Sequence, residues 1–396
     1  MKTKKVLLAG AILLSGVCGN AAAEAAGNSD SQKRVLALEE KKMESVPPRF
    51  MYDSGRKFEY PDSVRGIYVT GHSAGGSKLN ELVQYVDQTE LNAMVIDIKD
   101  DYGNITYQPE ESDSPYKGIG KDYIKDPSKM LDQLEKKKIY PIARIVVFKD
   151  TVLAKEKPEW SFQEGDELWK NGRGESFVNP FIKDVWDYNV GIAIEAAKMG
   201  FQEIQFDYVR FPEGFENKDE ELKYGMGEYE ESKMDNVQKR VQAVTDFVSY
   251  AKEKLEPYGV KVSVDIFGYT ATLPEAPGIG QNFTKISENV DVISSMIYPS
   301  HWTSYFGIDK PDLEPYKITA EYAKLENKKR DEMESAPISR PWLQDFTAAY
   351  LGTGNYKRYG KNEVEDQIKA LNDNGIKEYL LWNAANRYTK GVDYTP

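Results

Sequence analysis

The chain has 396 residues, 29% of them charged, with 52 lysines and arginines against 64 aspartates and glutamates and a formal net charge of −12. That acidic balance argues against nucleic acid and against an anionic membrane surface as partners, and it suits a neutral or cationic substrate. One cysteine, Cys18, and two histidines, His72 and His301, exclude a disulfide framework and a histidine-rich zinc hydrolase.

In chain order, Lys2, Lys4 and Lys5 precede the apolar run Val6 to Val17, and Ala21-Ala22-Ala23 follows. This is the pattern of an export signal cleaved after Ala23, too short for a permanent membrane span. It predicts a secreted or cell-surface protein, or a periplasmic one where the source has an outer membrane. Val17 is bulky where a lipoprotein signal wants a small residue, so the pattern favours cleavage over lipid attachment at Cys18. No later stretch is apolar enough to span a bilayer. Residues 24–60 read as a polar leader ending in Val46-Pro47-Pro48-Arg49-Phe50, and residues 61–396 as one domain.

From Arg65 on, strand-length apolar runs alternate with helical segments. Eight strands are expected: Arg65–Thr70, Ala93–Lys99, Pro141–Phe148, Glu203–Val209, Lys261–Phe267, Asp291–Tyr298, Arg340–Asp345 and Glu378–Asn383. Asp235 caps a helix whose apolar face is Val237, Val241, Val244, Val248, Ala251 and Leu255. Asp126-Pro127 and Asn179-Pro180 read as two more helix starts, and Gly200, Gly259 and Gly375 as helix ends before strands. Eight such units predict an α/β fold, a closed (β/α)8 TIM barrel.

Strand parity separates two faces. Ile67, Val69, Ile96, Ile98, Ile145, Val147, Ile204, Phe206, Val262, Val264, Ile266, Ile293, Ile297, Leu343 and Leu381 would face the helices. Tyr68, Asp97, Lys99, Arg144, Gln205, Asp207, Ser263, Asp265, Met296, Tyr298, Gln344 and Trp382 would face the axis, because side chains alternate with period two. Charges there are costly unless paired. Asp97, Lys99, Arg144, Asp207 and Asp265 are either an ionic plug that satisfies itself or the working groups of a site at the C-terminal ends of the strands.

Asp207 and Asp265 end neighbouring strands. Adjacent strands lie about 4.8 Å apart, which brings the carboxyls near the roughly 5 Å spacing of retaining glycosidases. One would be a nucleophile beside Arg144, Lys99 or Arg210, and the other an acid in a drier setting. Glu213 is a rival acid, otherwise a solvated loop residue. Asp97 is a third carboxylate. Tyr298, His301, Trp302 and Trp382 offer hydrogen bonds and stacking at the mouth, and Asp345 would need a strand-end bulge to join them. Gly71 to Gly76 matches neither a dinucleotide fingerprint nor a P-loop and reads as a loop at the cleft. Asp100, Asp101 and Asn104 lack EF-hand spacing, so no metal is assigned, and no cofactor is expected.

Arg65-Gly66-Ile67-Tyr68-Val69-Thr70, Val95-Ile96-Asp97-Ile98-Lys99-Asp100, Gln205-Phe206-Asp207-Tyr208-Val209-Arg210-Phe211-Pro212 and Met296-Ile297-Tyr298-Pro299-Ser300-His301-Trp302 together resemble the "putative glycosyl hydrolase domain" family, a TIM-barrel group similar to amylase-like hydrolases, over roughly residues 64 to 390. The resemblance implies a nucleophile at Asp207, an acid/base at Asp265, where amylase-like enzymes carry glutamate, and a further aspartate at Asp345. The expected function is hydrolysis of a polysaccharide or oligosaccharide, with Tyr68, Asp97, Lys99, Arg144, Arg210, Tyr298, Trp302, Gln344, Asp345 and Trp382 binding the sugar. The alternative is a catalytically silent barrel that binds glycan or wall polymer.

Overall fold

The computed structural model describes residues 51–109 and 119–395. The export signal, Cys18 and most of the polar leader lie outside the described residues. Among the described residues no helix is long and apolar enough to cross a membrane.

All eight expected strands form. They are β1 (Arg65–Val69), β2 (Ala93–Lys99), β3 (Tyr140–Val146), β4 (Glu203–Asp207), β5 (Lys261–Phe267), β6 (Val292–Met296), β7 (Ile338–Ser339 and Trp342–Gln344) and β8 (Tyr379–Trp382). Each pairs in parallel with the next, and β8 pairs with β1, so the sheet closes. The seventh strand was expected to be continuous and is broken. β7 meets β6 at Ile338 and Ser339 and again at Trp342, while the Pro341 carbonyl accepts from Leu380 N of β8, so the N–H that proline lacks is one it would have given on the β8 side.

The two faces predicted from parity are two separate apolar clusters. Ile67, Ile96, Ile145, Ile204, Val264, Ile293, Leu343 and Leu381 join the large cluster shared with the helices. Tyr68, Val95, Ile142, Tyr298, Trp342 and Leu380 form a smaller one within the barrel. Asp235 caps the helix Asn236–Leu255 by accepting from Gln238 N at 2.8 Å, and Asp126 caps Pro127–Lys136 through Lys129 N at 2.8 Å. Gly200 ends the helix Lys183–Met199 with a φ of 112°, a left-handed turn that costs glycine little.

Two local expectations differ. Asn179-Pro180 makes a turn rather than a helix start: the Asn179 side chain accepts from Phe181 N, and the helix begins at Lys183. Gly71 to Gly75 is a helical turn capped by Thr70, not a cleft loop. Gly75 packs so tightly that a Cβ would fall 1.5 Å from the Tyr123 carbonyl oxygen.

Beneath the barrel, residues 51–64 run along the N-terminal ends of the strands. Tyr52 N donates to the Pro257 carbonyl at 2.8 Å, and Arg56 pairs with Asp132 at 2.6 Å. Further in, Arg340 is fully buried between Glu203 (2.7 Å) and Glu378 (2.8 Å) and donates to the Tyr60 hydroxyl at 2.8 Å. This is a closed ionic plug at the barrel floor.

Candidate active site

The opposite end of the barrel holds a cavity of about 700 Å³, lined by Arg144, Asp207, Arg210, Asp265, Tyr298 and Trp382 among others. Its position at the C-terminal ends of the strands follows from the fold, since the strand-to-helix loops there are free to vary.

Arg144 organises the floor of the cavity. It lies opposite Asp97 in the β2–β3 register, and its Nη1 donates to Asp97 Oδ1 at 2.7 Å. Its Nη2 and Nε donate to Asp207 Oδ2 at 2.6 and 3.0 Å, and both Nη atoms reach Asp101 Oδ2 at 3.3 Å. Three carboxylates thus share one guanidinium that is 1% exposed. Tyr68 donates its hydroxyl to Asp97 Oδ2 at 2.5 Å, and its ring stacks on Trp382 with centroids 4.0 Å apart. Burial raises Asp97 to about 7, with Arg144 opposing it.

Asp207 receives donors on both oxygens. Tyr208 N gives to Oδ1 at 2.6 Å, a bond made possible by a left-handed Tyr208 backbone with a φ of 52°. A tyrosine in that region is strained, and such strain is held where the surroundings over-determine it. Here the Tyr208 ring lies under Lys149 (4.6 Å) and Arg210 (4.7 Å).

Asp265 has a different environment. One step beyond the Phe206–Val264 pair, it stands beside Asp207 on the next strand. It is buried, and its Oδ1 accepts from Trp342 Nε1 at 2.9 Å. Among the described residues no hydrogen bond reaches Oδ2. Burial, then the charge of Asp207, holds its carboxyl well above the usual range. The two carboxyl environments have been driven apart, the arrangement by which one fold supplies both an acid and a nucleophile.

The other expected residues divide. Arg210, Tyr298, Trp302 and Trp382 line the cavity. Trp302 is seated against Gly268, where a Cβ would stand 2.9 Å from its ring. Tyr68 and Asp97 lie beneath, supporting Arg144 and Trp382. Glu213 is an exposed loop residue paired with Arg210 at 3.1 Å.

Three residues are not brought to the cleft. A bulge between Asp97 and Lys99 puts Lys99 level with Ile145, a helix-facing position, so it turns outward. There it pairs with Asp150 at 2.6 Å and donates to Asn189. Gln344 accepts from Ser300 N and donates to Asp312, bracing the loop after β6. Asp345 keeps its outward parity and takes both Thr389 donors. Asp100, considered above as an oxygen ligand, accepts from the backbone of Tyr102, Gly103 and Asn104.

A sequence profile of the family described as "putative glycosyl hydrolase domain" matches residues 66–388. The chain belongs to that family. It is thus a glycoside hydrolase by kinship, as the fold of solved structures accords. The PgaB (BpsB) glycoside hydrolase domain from Bordetella bronchiseptica aligns over 82% of this chain and 94% of its own, with a TM-score of 0.56 at 15% identity. An alpha-amylase from Lactobacillus plantarum aligns over 84% and 76%, with a TM-score of 0.50 at 11% identity. A hypothetical protein from Ruminiclostridium thermocellum ATCC 27405 is 33% identical, covering 50% of this chain and 96% of its own, with a TM-score of 0.42. No curated protein matches the chain.

Sequence reasoning missed several cavity residues. Trp342, the partner of Asp265, opens the second half of β7 and could have been found from its axis-facing parity. Arg173, Tyr269 and Tyr350 come from connections between strands, where periodicity carries no information, and Asp101, weighed above only as a metal ligand, is a cavity residue paired with Arg144.

Proposed function

We propose that the protein is an exported glycoside hydrolase that cleaves a polysaccharide or oligosaccharide by double displacement, with Asp207 as nucleophile and Asp265 as acid/base. The observation that carries this reading is the contrast between the two carboxyls. Asp207 is surrounded by donors, whereas Asp265 is buried beside it, held in its protonated form, with Oδ2 free for a ligand in the cavity.

In the first step Asp265 gives its proton to the glycosidic oxygen, and Asp207 bonds to the anomeric carbon as the leaving sugar departs. In the second, Asp265, now a carboxylate, takes a proton from water. The water oxygen then displaces Asp207 and regenerates both groups. Arg144 orients Asp207 and balances its charge. Trp382 and Trp302 offer ring faces to the sugar.

The test uses Asp207→Gly and Asp265→Asn against a panel of wall and matrix polysaccharides. Each is expected to lose about three orders of magnitude in kcat. With a substrate carrying an activated leaving group, azide should rescue Asp207→Gly as a glycosyl azide of inverted configuration and Asp265→Asn as one of retained configuration, because azide needs no general base to displace Asp207. Full activity in both variants would overturn the assignment. For export, N-terminal sequencing of the protein recovered outside the cell should begin at Glu24; lipid on Cys18 would replace that reading with a lipoprotein.

A further inference from the structure

We infer that the glycan carries an acidic sugar, whose carboxylate is held by Arg173 in a second chamber that continues the cleft past Arg210. This rests on the hydrolase reading and names its substrate class.

The second chamber is a cavity of about 400 Å³ that shares Arg173, Tyr208, Arg210 and Glu213 with the main one, so the two adjoin at these residues. Its size lies within the range of small-ligand clefts. Trp169 and Phe177 contribute apolar lining, a surface on which a sugar ring packs.

The charge changes sign between the chambers. Five carboxyls and three arginines line the main cavity, whereas Arg173, Arg210 and Lys218 face only Glu175 and Glu213 in the second. Those two carboxylates are already engaged. Glu175 pairs with Lys149 at 2.9 Å and accepts from Asn171, and Glu213 pairs with Arg210 at 3.1 Å. Lys218 is taken by Glu221 at 2.6 Å. Among the described residues Arg173 has no carboxylate within ion-pair distance. The net charge of −12 suits a neutral or cationic substrate overall, but with Arg210 and Lys218 already paired, the exposed Arg173 is the cation at this junction that an anionic group can reach without breaking an ion pair.

Arg173 is also carried on a built turn. Asn171 Oδ1 accepts from Arg173 N at 2.9 Å and Glu175 N at 3.0 Å, and Asn171 N donates to the Glu175 carbonyl at 2.9 Å. Gly174, with a φ of 77°, turns the chain back. The turn fixes the backbone from which the guanidinium reaches the junction, and a guanidinium fork matches a planar carboxylate.

The experiment measures calorimetric binding of a uronate-containing oligosaccharide, its carboxyl-reduced neutral form and a phosphorylated neutral oligosaccharide to full-length Asp207→Asn protein. The uronate form is expected to bind at least about tenfold more tightly than either other form, with the gap narrowing in salt. Adding Arg173→Gln should remove that preference, and Arg173→Lys should restore part of it. Equal affinity for the acidic and reduced forms, preference for the phosphorylated one, or indifference to Arg173→Gln would each overturn the inference. The hydrolase reading fails separately: if the wild type binds the uronate through Arg173 but never cuts it, the binding assignment stands and the catalytic one falls.

Discussion

Two buried arginines stand at opposite ends of one barrel, and both are ringed by carboxylates. Arg340, at the floor, has Glu203 and Glu378 to itself, with residue Tyr60 closing the cage from below. Arg144, at the mouth, holds Asp97, Asp101 and Asp207, and Asp207 also lines an open cavity beside Asp265. The chemistry of the two clusters is alike; access differs. An ion cluster sealed from ligand can only hold the fold, while one that opens on a cavity beside a carboxyl held well above the usual range can act on what enters.

The largest expected contrast is catalytic. Asp207→Asn should lower kcat by about three orders of magnitude while the protein stays folded, and Glu203→Gln should leave kcat per folded molecule unchanged. Equal losses would erase the distinction between the two ends. Next is stability. Arg340→Met strands two buried carboxylates and should cost about 3–5 kcal/mol in urea unfolding, the penalty for leaving a buried charge alone. Arg144→Met should cost less, because Asp97, raised to about 7, can take up a proton, and Asp207 and Asp101 line an open cavity where water can reach them.

A smaller effect concerns pH. Asp97 is raised to about 7 in the folded chain from an unfolded value near 3.9. Between those values the folded state binds more protons, so its contribution to stability falls as pH rises and levels off above about 7. The slope is at most about 1.4 kcal/mol per pH unit. Asp97→Asn should remove that slope, measured as the unfolding free energy from pH 4.5 to 8. The mildest change is Trp382→Ala, expected to raise KM about tenfold by deleting a stacking face worth on the order of 1 kcal/mol, with a smaller effect on kcat.

Much of this was legible in the sequence because period-two alternation is physical. A strand buried on both sides must put aliphatic residues toward the helices, and that left Arg144, Asp207 and Asp265 on the axis. What was not legible depended on register and loops. A bulge moved Lys99 to the other face, and no propensity marks where a bulge falls. The floor cluster did leave a signal, since Glu203, Arg340 and Glu378 each open an expected strand, but their mutual pairing requires knowing that the sheet closes. Arg173 sits in a turn between elements, where sequence spacing says nothing about which cavity it reaches.

The break in β7 has a mechanical consequence. The seam between β6 and β7 is made at Ile338 and Ser339 and again at Trp342 rather than along its whole length. Trp342 is also the residue whose indole orients Asp265. The stitch that closes the cylinder is therefore also the one that aims Asp265, so a change that loosens the seam at Trp342 would shift the carboxyl proposed as proton donor.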